Sequence, residues 1–136
     1  MSFSGRSIGL VSAGALALLL TGCAGSITKD SPVETRQEAA GARAAAKWKL
    51  ILDGNPAGAY EYLSPASRKV VDRTEFVARM QRTAFRTATV EKSDCSVEVC
   101  QVWVAVTYDH PMMKGVRNTL RENWILENGT FWFVWQ

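Results

Sequence analysis

The chain has 136 residues, with 16 Lys and Arg against 13 Asp and Glu for a formal charge of +3, and 47% of its residues are hydrophobic. That length suits one domain with a modest core and leaves no room for a second. The nearly balanced charge lacks the concentrated basic footprint that nucleic acid requires, so no nucleic-acid partner is expected.

At the N-terminus Arg6 precedes an apolar run over 8–20 in which Ser12 is the one clearly polar residue, and Leu20-Thr21-Gly22-Cys23 closes it. A membrane-spanning helix needs roughly 20 residues, so this shorter run fits the h-region of a cleaved signal. Its last four residues resemble the lipobox of bacterial lipoproteins. The resemblance implies a signal peptide over 1–22, and it makes Cys23 the first mature residue, acylated on its thiol and amino group. Two or more acyl chains hold a protein on a membrane stably where one does not. Ala24, standing where Asp is absent, resembles the pattern sent to the outer membrane, so the expected location is its periplasmic face. The alternative is an uncleaved anchor or an ordinary secretory signal with Cys23 incidental.

Residues 23–32 are read as the acylated cysteine and a short polar tether. Eight extended residues span at most about 28 Å, which keeps the domain near the bilayer. From 34 to 53 the residues are strong helix formers, and Ala44, Trp48, Ile51 and Leu52 mark one buried stripe. Ser31 or Asp30 is the expected cap, and Gly54-Asn55-Pro56 the stop. A short helix over 56–63 follows and ends at Ser64-Pro65. Thr74 or Asp72 then caps a third helix whose apolar positions include Phe76, Val77 and Met80.

Beyond Thr83 the hydrophobic period changes to that of strands, placed at roughly 86–94, 99–108, 117–127 and 130–135. Asn128-Gly129 predicts a type I′ turn between the last two. Its register sets Leu126 opposite Phe131, Trp124 opposite Phe133 and Glu122 opposite Trp135 on the helix-packed face, with Asn123, Ile125, Trp132 and Val134 on the other. Trp103 shares a face with Gln101, Ala105 and Thr107, a mixture that predicts partial exposure. With Cys23 assigned to lipid, Cys95 and Cys100 remain as a pair in an oxidising compartment, and a disulfide is expected.

Three helices and then a curved antiparallel sheet, together with Trp48-Lys49-Leu50-Ile51-Leu52-Asp53-Gly54, the segment Ala59-Tyr60-Glu61-Tyr62-Leu63-Ser64-Pro65-Ala66-Ser67-Arg68 and a Trp-rich last hairpin, resemble the nuclear transport factor 2-like or SnoaL-like cone fold. The resemblance covers 33–136 as one domain. It implies an α+β class, with N-terminal helices packed on a curved antiparallel sheet of four or slightly more strands. Many proteins of this fold pair through the exposed sheet face, which implies a homodimer. Its enzymes place Asp, His or Arg deep in the cone, and no matching catalytic set carries over to this chain.

His110, in Asp109-His110-Pro111, reads as a solvated loop residue, with general-base catalysis as the alternative. Glu122 either reaches solvent or an arginine near the cone's open end, or anchors a ligand in an aromatic pocket with Tyr60, Trp124 and Trp135. The basic stretch 68–86 reads as a solvated helix face, or as a contact for anionic lipid or another envelope polymer. Two cysteines and one histidine do not furnish a zinc site, and no phosphate-loop or dinucleotide signature points to a cofactor. The expected function is a membrane-anchored, non-catalytic module that binds an envelope protein or a small apolar ligand. The alternative is an enzyme acting on a small hydrophobic molecule through Glu122 or His110.

Overall fold

In the computed structural model, residues 26–136 are described. Cys23 and the signal reading lie outside them. The elements in chain order are α1 (Val33–Leu52), α2 (Pro56–Tyr60), a 3-10 turn (Ser67–Lys69), α3 (Arg73–Arg82), β1 (Ala84–Cys95), β2 (Val99–His110), β3 (Met113–Glu127) and β4 (Thr130–Val134). The four strands form one antiparallel meander in the order β1-β2-β3-β4 with the helices on one face, the α+β, cone-like arrangement expected from the sequence. No helix among the described residues is long and apolar enough to cross a membrane.

Helix α1 buries Ala40, Ala44, Lys47, Trp48 and Ile51 against the sheet. Leu52, expected on that stripe, is 37% exposed. At about 100° per residue it lies roughly 80° round from Ala44, at the edge of the buried face. The cap also differs from expectation, because Pro32 occupies the N-cap position with no side-chain bond. The Ser31 hydroxyl instead accepts the Thr28 N–H at 2.9 Å, and its carbonyl accepts from Arg36 Nε at 3.1 Å. Arg36 also donates to the carbonyls of Ser96 and Val97, tying the start of α1 to the β1–β2 turn.

The helix ends as Gly54 demands. With φ at +77°, Gly54 donates to Ile51 O, and Asn55 donates to Leu50 O, the paired bonds of a Schellman motif. Asn55 then caps α2 by accepting the Gly58 N–H at 2.9 Å. Helix α2 stops at Tyr60 rather than running to 63. Pro65 pushes Ser64 into an extended conformation, and the chain there pairs with β4: Ser64 N–H donates to Phe133 O, and Phe133 N–H to Tyr62 O, both at 2.8 Å. At α3 the cap is Asp72, whose carboxylate accepts the Glu75 N–H at 2.8 Å. Phe76 is the buried anchor, with Val77 and Met80 half-buried.

Strand β3 begins at Met113, four residues before its expected start at 117, so β2 and β3 form a long hairpin and His110 pairs with Met113 at its tip. Asn128 and Gly129 both have positive φ, 51° and 76°, as a type I′ turn needs. Trp124 faces Phe133 and Leu126 faces Phe131 as expected. Glu122 does not face Trp135 in the ladder, which ends at Asn123–Val134. The Ser67 hydroxyl draws the Trp135 N–H away at 2.9 Å, and Glu122 is opposite Val102 on β2. Val102, Val104 and Val106 project into the core, while Gln101, Trp103, Ala105 and Thr107 are half-buried on the far face. Cys95 and Cys100, register partners with Cα atoms 4.0 Å apart, are bridged. Closing so short a loop stabilises by about 2 kcal/mol in the chain-entropy model.

Candidate functional site

A cavity of about 410 Å³ opens between α1, α3 and the inner face of the sheet. Its walls are largely aromatic and aliphatic: Trp48 from α1, Phe76 from α3, Phe85 from β1, Leu120 from β3, and Phe133 and Trp135 from the last strand and its extension. Lys47 and Glu122 reach its floor.

These two form a buried ion pair with side chains only 3% and 6% exposed and Lys47 Nζ 2.5 Å from Glu122 Oε1. Trp48 Nε1–H donates to the same oxygen at 2.8 Å, and Trp124 Nε1–H donates to Oε2 at 3.1 Å. Three donors thus fill most of the carboxylate's roughly four acceptor sites. The ammonium in turn lies over aromatic faces, 3.9 Å from the Phe133 ring centroid, 4.9 Å from that of Trp48 and 5.7 Å from that of Trp124. Burial pushes the Lys47 pKa below the ordinary lysine value of 10.5, while the charge of Glu122 and its hydrogen bond oppose that shift. The floor is therefore neutral overall and held in place by its own hydrogen bonds. It presents a polar spot under an apolar vault, a combination suited to orienting a mostly apolar guest.

Of the residues assigned to a pocket from the sequence, Glu122 and Trp135 line this cavity. Trp124 lies fully buried beneath the floor as a donor to Glu122. Tyr60 stands outside it: its hydroxyl donates to Val71 O at 3.1 Å and its ring packs edge-on against Phe76. An aromatic residue in the right segment is a wall component on either side, and periodicity alone does not say which. Lys47 was missed, although its spacing from Ala40, Ala44 and Ile51 puts it on the buried stripe of α1, a position where a lysine demands a partner.

His110 closes β2 on the exposed hairpin tip, where its Nδ1 accepts the Met112 N–H at 3.2 Å. Neighbouring Asp109 does not orient it. That carboxylate accepts from Gly115 N–H at 3.0 Å and from Arg86 Nε at 2.8 Å, and these bonds, the glycine's first, hold it below the usual carboxylate range. In the basic stretch, Arg68 and Arg73 pair with Glu61, Arg79 with Glu75, and Arg86 with Asp109. Four of its six cations are ion-paired, through three carboxylates, which favours the solvated helix face over a surface for anionic polymers.

No protein-family model matches the chain, and no curated protein sequence matches it. Among solved structures, a SEC-C motif containing protein from Rhodopseudomonas palustris is similar at 17% identity, covering 75% of this chain and 80% of its own, with a TM-score of 0.59. A protein described as an NTF2-like transpeptidase from Campylobacter jejuni is similar at 12% identity over 68% of this chain and 94% of its own, with a TM-score of 0.49. The first likeness establishes a shared fold and nothing of function, and the second is too low to carry an argument.

Proposed function

We propose that this chain is a cell-envelope lipoprotein, held to the membrane through acylated Cys23, whose cone-shaped domain binds a small apolar ligand without catalysis. The observation that carries the binding half is the state of Glu122, the carboxylate at the cavity floor, which is held by three donors from the protein itself. A general base needs a lone pair free to reach a substrate proton, and this carboxylate has most of its acceptor sites taken. An apolar vault over a neutral, satisfied floor suits retention and orientation better than proton transfer. The lipobox-like Leu20-Thr21-Gly22-Cys23 supports the anchoring half.

The cavity is tested with 1-N-phenylnaphthylamine, an apolar dye whose fluorescence rises in dry surroundings. Saturable binding at micromolar dye is the expected result. A Met80→Trp/Leu120→Trp double variant narrows the cavity from opposite walls and should weaken binding roughly tenfold, about 1.4 kcal/mol. Equal dye binding by the two proteins would show that the dye sits elsewhere and would remove the cavity from the proposal.

A further inference from the structure

Strand β3 is much longer than the strand beside it. Residues 123–127 pair with β4, whereas over 113–122 no strand lies along the same edge among the described residues. The direction of the backbone groups there follows from the last hairpin. A two-residue turn makes Glu127 and Thr130 a hydrogen-bonded pair, and antiparallel alternation then sends the N–H and C=O of 125, 123, 121, 119 and 117 to that one side. Thr119 bears this out, because its N–H is taken by the side-chain oxygen of adjacent Asn118 at 2.8 Å rather than by β2. The edge amides of Arg117 and Arg121 thus face open space, with that of Thr119 between them held only by its neighbour's side chain, in line with β4 and beside the mouth of the cavity at Leu120.

The side chains of these residues are exposed on the outer face, and neither Arg117 nor Arg121 has an ion-pair partner among the described residues. Glu91 reaches this area only as far as the Thr119 hydroxyl, at 3.5 Å. Cations on a free edge oppose pairing with a second copy, which would bring arginine against arginine. The same cations favour an acidic strand.

We propose that the free edge of β3 receives an extended acidic segment of a partner protein as an added strand. Asp or Glu at alternate positions would lie against Arg117 and Arg121, and the apolar residues between them would face Leu120 and the cavity mouth. This inference rests on the binding-module reading and names the chemistry of a second occupant beside the cavity.

The probe is a capped peptide of about ten residues alternating glutamate and valine, a typical strand length at the long end. Its binding is read by calorimetry and by amide hydrogen exchange. Exchange at Arg117, Thr119 and Arg121 should slow roughly tenfold when the peptide is bound, and affinity should fall as salt is raised. A peptide methylated at every backbone amide should not bind. Thr119→Pro removes an N–H that the β2 ladder does not use and that an added strand would take over from the Asn118 side chain, so it should keep the fold and weaken binding roughly tenfold. Arg117→Glu with Arg121→Glu should transfer the preference to a lysine–valine peptide. Unchanged exchange at the three amides, or equal binding of the methylated peptide, overturns the proposal, and the methylated arm decides it if Thr119→Pro fails to fold. Protection that grows with protein concentration in the absence of peptide also overturns it, since the occupant is then a second copy. If the strand probe fails while the naphthylamine dye still binds, the edge site falls and the cavity reading stands.

Discussion

Glu122→Gln is expected to destabilise the domain by about 3 kcal/mol at neutral pH, because removing one partner of a buried ion pair strands the other. The stranded group is Lys47, whose ammonium has Glu122 as its counter-charge on the cavity floor. The effect should depend on pH in a defined direction. Burial lowers the folded-state pKa of Lys47 below 10.5, and the two influences that oppose burial, the charge and the hydrogen bond, both come from Glu122. Losing them lowers that pKa further. Between the folded-state pKa and 10.5 the unfolded chain holds more protons than the folded one, so stability rises with pH across that window. The cost of an ionised, buried Lys47 is complete below the folded-state pKa and is relieved above it.

The deficit of Glu122→Gln relative to the parent should therefore be largest near neutrality and shrink as pH approaches 10.5. Adding Lys47→Met should recover more than half of it, since the uncompensated charge is then gone while the amide oxygen still accepts from one of the two indoles. Urea unfolding followed by tryptophan fluorescence measures both effects. A deficit that does not change with pH, or a double variant no more stable than the single, would show that the floor is held by packing rather than by the charge pair.

Trp124→Ala should cost about 3–5 kcal/mol, the range for truncating a large buried aromatic. The side chain is fully buried, 5.6 Å from Phe133 between ring centroids, and opposite Cys100 in the sheet. The same change takes the donor from Glu122 Oε2, and an unmet buried acceptor adds about 1–3 kcal/mol that is not independent of the packing loss. Since small domains hold about 5–15 kcal/mol in total, this one change should lower the urea midpoint by at least 1 M. Trp132→Ala is the matched control, because Trp132 is half-buried on the opposite face of the same hairpin. If the two cost the same, the inner and outer faces are not as described.

The last hairpin was legible because its determinants are local. Asn128-Gly129 requires positive φ at both positions, that turn sets the pairing, and the pairing put Trp124 and Leu126 opposite Phe133 and Phe131. The expected pairing of Glu122 with Trp135 does not form, since the ladder ends where a hydroxyl on Ser67, distant in sequence, captures the Trp135 N–H. The bridge between Leu63 and Phe133, which shortens α2, has the same long-range origin. At the site, Glu122 stood out as a carboxylate on an apolar face, but its partner was hidden. Lysine is ordinarily a surface residue of helices, and only the spacing of Lys47 along the buried stripe of α1 marks it as different. Tyr60 was misplaced because the aromatic pattern of residues 59–68 locates a wall without saying which side of it faces the cavity.

Native mass spectrometry of the protein released from its own membranes in mild detergent tests the central claim most directly. The predicted result is a chain that begins at Cys23 with its acyl groups and carries one small apolar molecule, which is lost from the Met80→Trp/Leu120→Trp form. A protein that carries no such molecule, or one that the double variant retains equally, would contradict a ligand-binding role for the cavity.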